Sequence, residues 1–109
     1  MRCSLQGSPL FTQHRARIVD LVAKSGLPAV YNDARFVDVG GLVSYARDTR
    51  EEVRRVAVIV DKILHGAKPA DVPVEQPTKY SLAINLKTAR ALGLTIPPSL
   101  LVLADQVLQ

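Results

Sequence analysis

Pro73-Val74-Glu75-Gln76-Pro77-Thr78-Lys79-Tyr80-Ser81-Leu82-Ala83-Ile84-Asn85-Leu86-Lys87-Thr88-Ala89-Arg90-Ala91-Leu92-Gly93-Leu94 is the stretch that decides the fold. Pro73 and Pro77 each fix φ and remove an amide donor, so the segment enters as an extended crossing and not as a helix. Ser81 to Asn85 reads as a short strand. Asn85 then stands where its side chain N-caps a helix over Leu86 to Leu92, and Gly93 stands at that helix's end.

Working outward, residues 67–80 form an extended connector, with Pro69 adding a third exclusion of helix. Before it, residues 49–66 carry the clearest helix. Thr49 and Glu52 have capping-box spacing. Lys62 and His65 place positive charge in the last turn, and Gly66 ends the helix. Its apolar positions, Val53, Val56, Ala57, Val58, Ile59, Val60, Ile63 and Leu64, cover more than one narrow stripe. Such a helix needs partners on two sides. On the carboxyl side, Thr95-Ile96-Pro97-Pro98 is a stiff link, and Ser99 is expected to cap a last helix over Leu100 to Leu108.

The amino-terminal half has the same alternation. Residues 1–9 read as irregular. Helical periodicity begins near Thr12, with Ile18, Val19, Leu21 and Val22 as its apolar stripe and Gly26 as its C′ residue. Leu27 to Tyr31 is a buried-strand candidate, with Pro28 near its start. Helix, glycine turn and strand in this order are half of a βαβ unit, so the fold class is α/β with short parallel strands and flanking helices. Ala34 to Val39 is expected to make one helical turn. Gly40-Gly41 leads into a second strand at Leu42 to Tyr45.

At 109 residues the chain is one domain or part of one. Its 48% apolar and 22% charged residues fit an ordinary globular protein. The net charge of +4 is spread along the whole length, and only Arg54 and Arg55 are adjacent, with Glu51 and Glu52 beside them. That dispersal fits solvated faces with local ion pairs better than a nucleic-acid surface. The lone Cys3 makes no internal disulfide, and with His14 and His65 it lacks metal-ligand spacing. No run approaches the roughly 18 apolar residues of a membrane span. Residues 1–11 hold no apolar core of signal-peptide length, so no signal peptide is expected.

Catalytic chemistry is hard to assemble from these residues. His14 lies in an early polar turn and His65 at a helix end, whereas a Ser-His-Asp site needs an oriented, buried histidine. Asp33 and Asp38 are five apart in a loop, where turn and capping roles are commoner than paired acid–base work. Phosphate-loop, dinucleotide and C-x-x-C motifs are absent, so no enzyme, cofactor or metal site is expected. Tyr31 and Tyr45 each stand at the carboxyl end of an expected strand, where open α/β sheets bind ligands.

Taken in order, Pro9-Leu10-Phe11, LPAVY at 27–31, RFVDVGGLVSY at 35–45, VDKILHGAKPADVPVEQPTKY at 60–80 and LAINLKTARALGLTIPPSLLVLADQVLQ at 82–109 resemble the ABC-transporter substrate-binding proteins of the tryptophan- and tyrosine-importer type. The resemblance runs over residues 8–109. It implies part of a periplasmic-binding-protein-like, type I-like scaffold. In that scaffold a small, amino-acid-like solute binds between two lobes, and the closed complex is offered to a membrane permease. Residues 8–45 and 77–109 would belong to the second lobe, and the helix at 49–66 to the first. By the same resemblance Tyr31, Gly40, Gly41, Ser44 and Tyr45 are the ligand-binding residues. Ser44 and the glycine backbone would hydrogen-bond polar groups of the solute, and the tyrosines would supply apolar faces.

The chain departs from the family pattern at its start. Residues 1–7 are polar where members carry an apolar strand, and Ser8 stands where members place an acidic or small polar residue near the cleft. Against the family pattern, the first lobe's main βαβ series and the start of the second lobe are expected to lie outside this sequence. The expectation is therefore a truncated solute-binding component with impaired binding. The family belongs to the periplasm or cell envelope, but this chain as written would stay in the cytoplasm. The orphaned apolar helix 49–66 would bury itself against a second copy, making a homo-oligomer. The alternative is a small basic oligomeric, nucleic-acid-binding or regulatory module, recognised by binding that weakens steeply with salt.

Overall fold

The computed structural model describes residues 2–109. Five strands, β1 (Cys3–Leu5), β2 (Ala29–Tyr31), β3 (Val43–Arg47), β4 (Tyr80–Asn85) and β5 (Gln106–Leu108), form one sheet in the order β1-β2-β3-β4-β5. The pairs β1–β2, β2–β3 and β4–β5 are parallel. Between β3 and β4 the chain reverses. Asp48 N–H, just past β3, donates to Lys79 O just before β4, while Asn85 N–H at the end of β4 donates to Leu42 O before β3.

Six helices connect the strands: α1 (Pro9–Gln13), α2 (Arg15–Ser25), α3 (Ala34–Asp38), α4 (Thr49–Leu64), α5 (Leu86–Ala91) and α6 (Pro98–Leu103). Parallel neighbours cannot be joined by a tight hairpin, so helical crossovers follow from the strand directions. The chain divides into two compact units, Met1–Ala46 with Ser81–Gln109, and Arg47–Tyr80.

The first unit holds the sheet and the core. Val19 from α2, Ala29 and Tyr31 from β2, and Phe36 from α3 form a buried cluster, with Cys3, Leu5, Ile18 and Val22 packed around it. Tyr31 and Phe36 stack with ring centroids 4.9 Å apart. Ala83, Ile84 and Asn85 of β4 are buried, as is Ala89 of α5. Asn85 caps α5 as its chemistry requires, accepting at Oδ1 from Thr88 N–H at 3.1 Å. Gly26 ends α2 in the left-handed region at φ 68°, where a residue with a Cβ is strained.

The second unit is α4, a 3₁₀ turn at Pro69–Asp71 and an extended return to β4. No residue of α4 is buried. Val53, Val56, Val60, Ile63 and Leu64 form an exposed apolar stripe, at the i, i+3, i+7 spacing of one helix face. Arg55 joins Glu51 at 3.5 Å and Glu75 at 3.6 Å, which ties the return segment to the helix.

Four sequence expectations need correction. Residues 1–9 are not irregular throughout: Cys3, Ser4 and Leu5 pair with Ala29, Val30 and Tyr31, and α1 begins at Pro9, ahead of Thr12. Cys3 and Leu5 turn toward the core while Ser4 is exposed, which is the period-two pattern of a strand. The capping box at Thr49 and Glu52 does not form. Asp48, one residue earlier, takes the cap, and its carboxylate accepts from Arg50 and Glu51 N–H at 3.0 and 3.3 Å. Ser99 is not a cap either, because Pro98 opens α6 at its first position with Pro97 before it. That helix stops at Leu103 and does not continue to Leu108. Asp105 N–H donates to Leu82 O at 2.8 Å and its carboxylate accepts from Leu82 N–H at 2.9 Å, which starts β5 along β4.

Candidate functional site

The carboxyl ends of β1 and β2 open onto residues 6–8 and 32–35, and in open α/β sheets this is the edge that receives ligands. The rim there is polar. Gly7 lies under the Asn32 amide so closely that a Cβ on it would meet Nδ2 at 2.5 Å. Asp33 caps α3, accepting from Arg35 N–H at 2.9 Å. The Arg35 guanidinium folds back onto the same carboxylate, with Nε 3.0 Å from Oδ1 and Nη2 2.7 Å from Oδ2. Burial pushes the Asp33 carboxyl up, but the hydrogen bonds and charge of Arg35 and the charge of Arg15 outweigh it and leave the pKa below the usual value. Arg15 donates from Nη1 to Thr12 O at 3.0 Å, and the Thr12 hydroxyl donates to Ser8 O at 3.2 Å. Ser8, Pro9, Thr12, Gln13, Arg15 and Arg35 surround an open depression of about 500 Å³.

A second, smaller cavity of about 110 Å³ lies at the other end of the strands, between α2 and α5. Its lining is mostly apolar and includes Val19, Leu27, Tyr31, Gly40, Gly41 and Leu92. Three of the five residues expected at a ligand site meet here. Tyr31 is 2% exposed and belongs to the core stack. Burial raises its hydroxyl above the ordinary value of 10.0, and the charge of Cys3 adds to that rise. Gly40 sits at φ 110° and its carbonyl accepts from the Thr88 hydroxyl at 2.8 Å. Gly41 is packed against backbone: a Cβ there would lie 2.7 Å from Phe36 O and 2.9 Å from the Tyr31 ring.

Ser44 and Tyr45 do not line that cavity. Ser44, in register with Tyr31, is fully buried, and its hydroxyl has no hydrogen-bond partner among the described residues. Tyr45 alternates to the opposite face and is 59% exposed. Gly40 and Gly41 precede β3 whereas Tyr45 lies along it. The five are therefore divided between β2, the turn before β3 and the two opposite faces of β3.

The two aspartates considered as an acid–base pair have separate partners, Asp33 with Arg35 and Asp38 with the Gln106 amide at 3.3 Å. Among the described residues no group of three or more His, Cys, Asp or Glu side chains is arranged to hold a metal ion, and no helix is long and apolar enough to cross a membrane. Sequence reading passed over the rim of the depression. Along the chain Arg15 and Arg35 are dispersed charge, and only the pairing of β1 with β2 creates the carboxyl edge beside which they share one rim.

A sequence model of ABC transporter substrate binding proteins matches residues 11–108. No curated protein sequence matches. Among solved structures, one described as an ABC domain in complex with L-Trp from Streptococcus pneumonia superposes with a TM-score of 0.90 at 30% identity, covering 99% of this chain and 37% of that one. A conserved domain protein from Vibrio cholerae gives 0.71 at 19% identity, over 94% of this chain and 44% of its own. A ligand-free, open substrate-binding protein with adhesive properties from Clostridium difficile gives 0.68 at 17% identity, over 97% and 35%. The last two show the fold alone. In each case this chain spans less than half the length of the structure it resembles.

Proposed function

Since this chain belongs to the ABC transporter substrate binding protein family, we propose that it serves solute capture for an ABC permease, contributing one part of a two-lobed receptor for a small, amino-acid-like solute. The family works outside the cytoplasm, and its members generally do no chemistry on what they bind. The observation that carries the reading is the family match over residues 11–108. The solute class is supported by the L-Trp in the structure that shares 30% identity.

In this reading residues 8–45 and 77–109 belong to one lobe and the helix 49–66 to the other. Support comes from the division of the chain into the sheet-bearing unit and Arg47–Tyr80. Of the five residues expected to bind solute, Tyr45 offers an exposed aromatic face. Tyr31, Gly40, Gly41 and Ser44 act behind it by fixing the backbone of β2 and β3.

The test is an amide chemical-shift titration of the chain with L-amino acids, aromatic ones first. We expect saturable shifts confined to residues 8–15, residues 32–35 and Tyr45. No saturable response to any L-amino acid, or shifts centred elsewhere, would overturn the amino-acid reading.

The exposed stripe of α4 favours one addition, self-association of the chain through Val53, Val56, Val60 and Ile63. Light scattering should then show a dimer or larger species, and Val56→Asp combined with Ile63→Asp should dissociate it. A stable monomer at all concentrations would remove this addition and leave solute capture untouched.

A further inference from the structure

We propose that the depression beyond β1 and β2, rimmed by Ser8, Thr12, Gln13, Arg15 and Arg35, holds a carboxylate group of the captured solute. The inference rests on the solute-capture reading for its biological meaning, but its chemistry stands on the rim itself.

Two guanidinium groups border the depression, and one carboxylate, Asp33, offsets one of them. Arg35 is held by Asp33 through Nε and Nη2, which orients its planar head and leaves Nη1 outside the pair. Arg15 makes no ion pair at 4 Å or less among the described residues. One of its nitrogens donates to Thr12 O, which fixes the head at the rim and leaves donors free. Its charge reaches Asp33, which places both guanidiniums in one electrostatic neighbourhood.

The excess is therefore a single positive charge carried by planar guanidinium groups, and guanidinium forks match carboxylates in geometry as well as charge. A dianionic phosphate would leave one negative charge uncompensated beside Asp33, so the monoanion is favoured. Around the charge stand neutral groups able to take the remaining contacts. Ser8 precedes α1 without capping any of its amides through the side chain. The Thr12 hydroxyl, already donating to Ser8 O, keeps its lone pairs for an incoming donor. Both ends of an amino-acid backbone, carboxylate and ammonium, would thus find partners on one rim.

The test uses the full chain, labelled so that backbone amides and arginine Nε–H groups are visible, and titrated separately with sodium benzoate, benzamide and inorganic phosphate. The expected result is a saturable benzoate response at Arg15, Arg35 and the amides of residues 8–13. Benzamide should produce none and phosphate a weaker one. Arg15→Gln, whose spectrum would confirm an unchanged fold, should weaken benzoate by about tenfold, the loss of one charge-assisted contact. Added salt should weaken it further. An equal response to benzamide, a phosphate response as strong as benzoate's, or a benzoate response indifferent to Arg15→Gln overturns the proposal. The two readings fail separately. If L-amino acids bind while benzoate does not, solute capture stands and the carboxylate site falls. If benzoate binds as described and no L-amino acid does, the site stands and the amino-acid reading falls.

Discussion

The two units of this chain are made from similar residues and treat them in opposite ways. Every buried side chain among the described residues lies in Met1–Ala46 or Ser81–Gln109, and none lies in Arg47–Tyr80. Yet α4 is rich in valine and isoleucine, and Val56, Val58 and Val60 are each about half exposed. Hydrophobicity drives burial only where a second layer stands opposite. In the first unit the sheet supplies that layer, and Phe36 and Val37 of the single-turn α3 are almost wholly covered. In the second, α4 is held by local devices: the Asp48 cap and ion pairs of Arg54 and Arg55 with Glu51. Exposed pairs of that kind contribute a few tenths of a kcal/mol each.

The largest test of this contrast is a matched pair of truncations. Phe36 is 1% exposed and stacks on Tyr31. Phe36→Ala should therefore cost about 3–5 kcal/mol in a urea denaturation. Val56, at 58% exposure, should lose within about 0.5 kcal/mol on Val56→Ala when measured in dilute monomer. Comparable losses at the two positions would mean that α4 is covered in solution and would end the contrast.

What could be read ahead of the structure divides along the same line. Local chemistry was legible. Asn85 caps the helix it was expected to cap because the amide it accepts from, Thr88 N–H, lies three residues away, and Gly26, Gly66 and Gly93 end helices at positive φ. The glycine-preceded strand at residues 42–45 and the strand at 81–85 appear within a residue or two as β3 and β4. What failed depends on distant partners. Cys3–Leu5 and Gln106–Leu108 are three-residue strands at the two ends of the sheet. Their own residues do not insist on extension; β2 and β4 impose it through backbone bonds. The site followed suit. Tyr31 and Tyr45 look equivalent along the chain, but register and the alternation of faces bury one and expose the other. The rim arginines come together only once β1 is in place beside β2.

A medium effect separates two caps one residue apart. Asp48 accepts two amide donors at the start of α4, while Thr49, in the first helical turn, is exposed. Asp48→Ala should cost about 1 kcal/mol of helix stability. Because the second unit has no core, that loss should appear locally, as roughly fivefold faster amide exchange over residues 50–64. The β2 and β3 amides should be unchanged. Thr49→Ala should leave both unchanged. If Thr49→Ala proves the more damaging, the capping box exists after all. If Asp48→Ala speeds exchange throughout the sheet, the two units are not independent in stability.

The smallest effect appears only in alkali and only in the sheet-bearing unit. Tyr31 holds its proton more tightly in the folded chain than in the unfolded one, because ionising it would leave a charge in the core cluster. Folded protein then binds more protons than unfolded protein as the hydroxyl titrates. The stability tied to Tyr31 is therefore complete below the ordinary value of 10.0 and falls as the pH rises past it. Denaturation midpoints at about pH 9 and about pH 11 should differ more in the native chain than in Tyr31→Phe, which has no proton to lose. Other ionising groups are common to both proteins and cancel in that difference. Since α4 contains no tyrosine, its amide exchange should show no step that depends on Tyr31. Equal pH slopes in the two proteins would mean that the Tyr31 hydroxyl reaches water without cost, and that the most buried aromatic pair of this fold is open at one end.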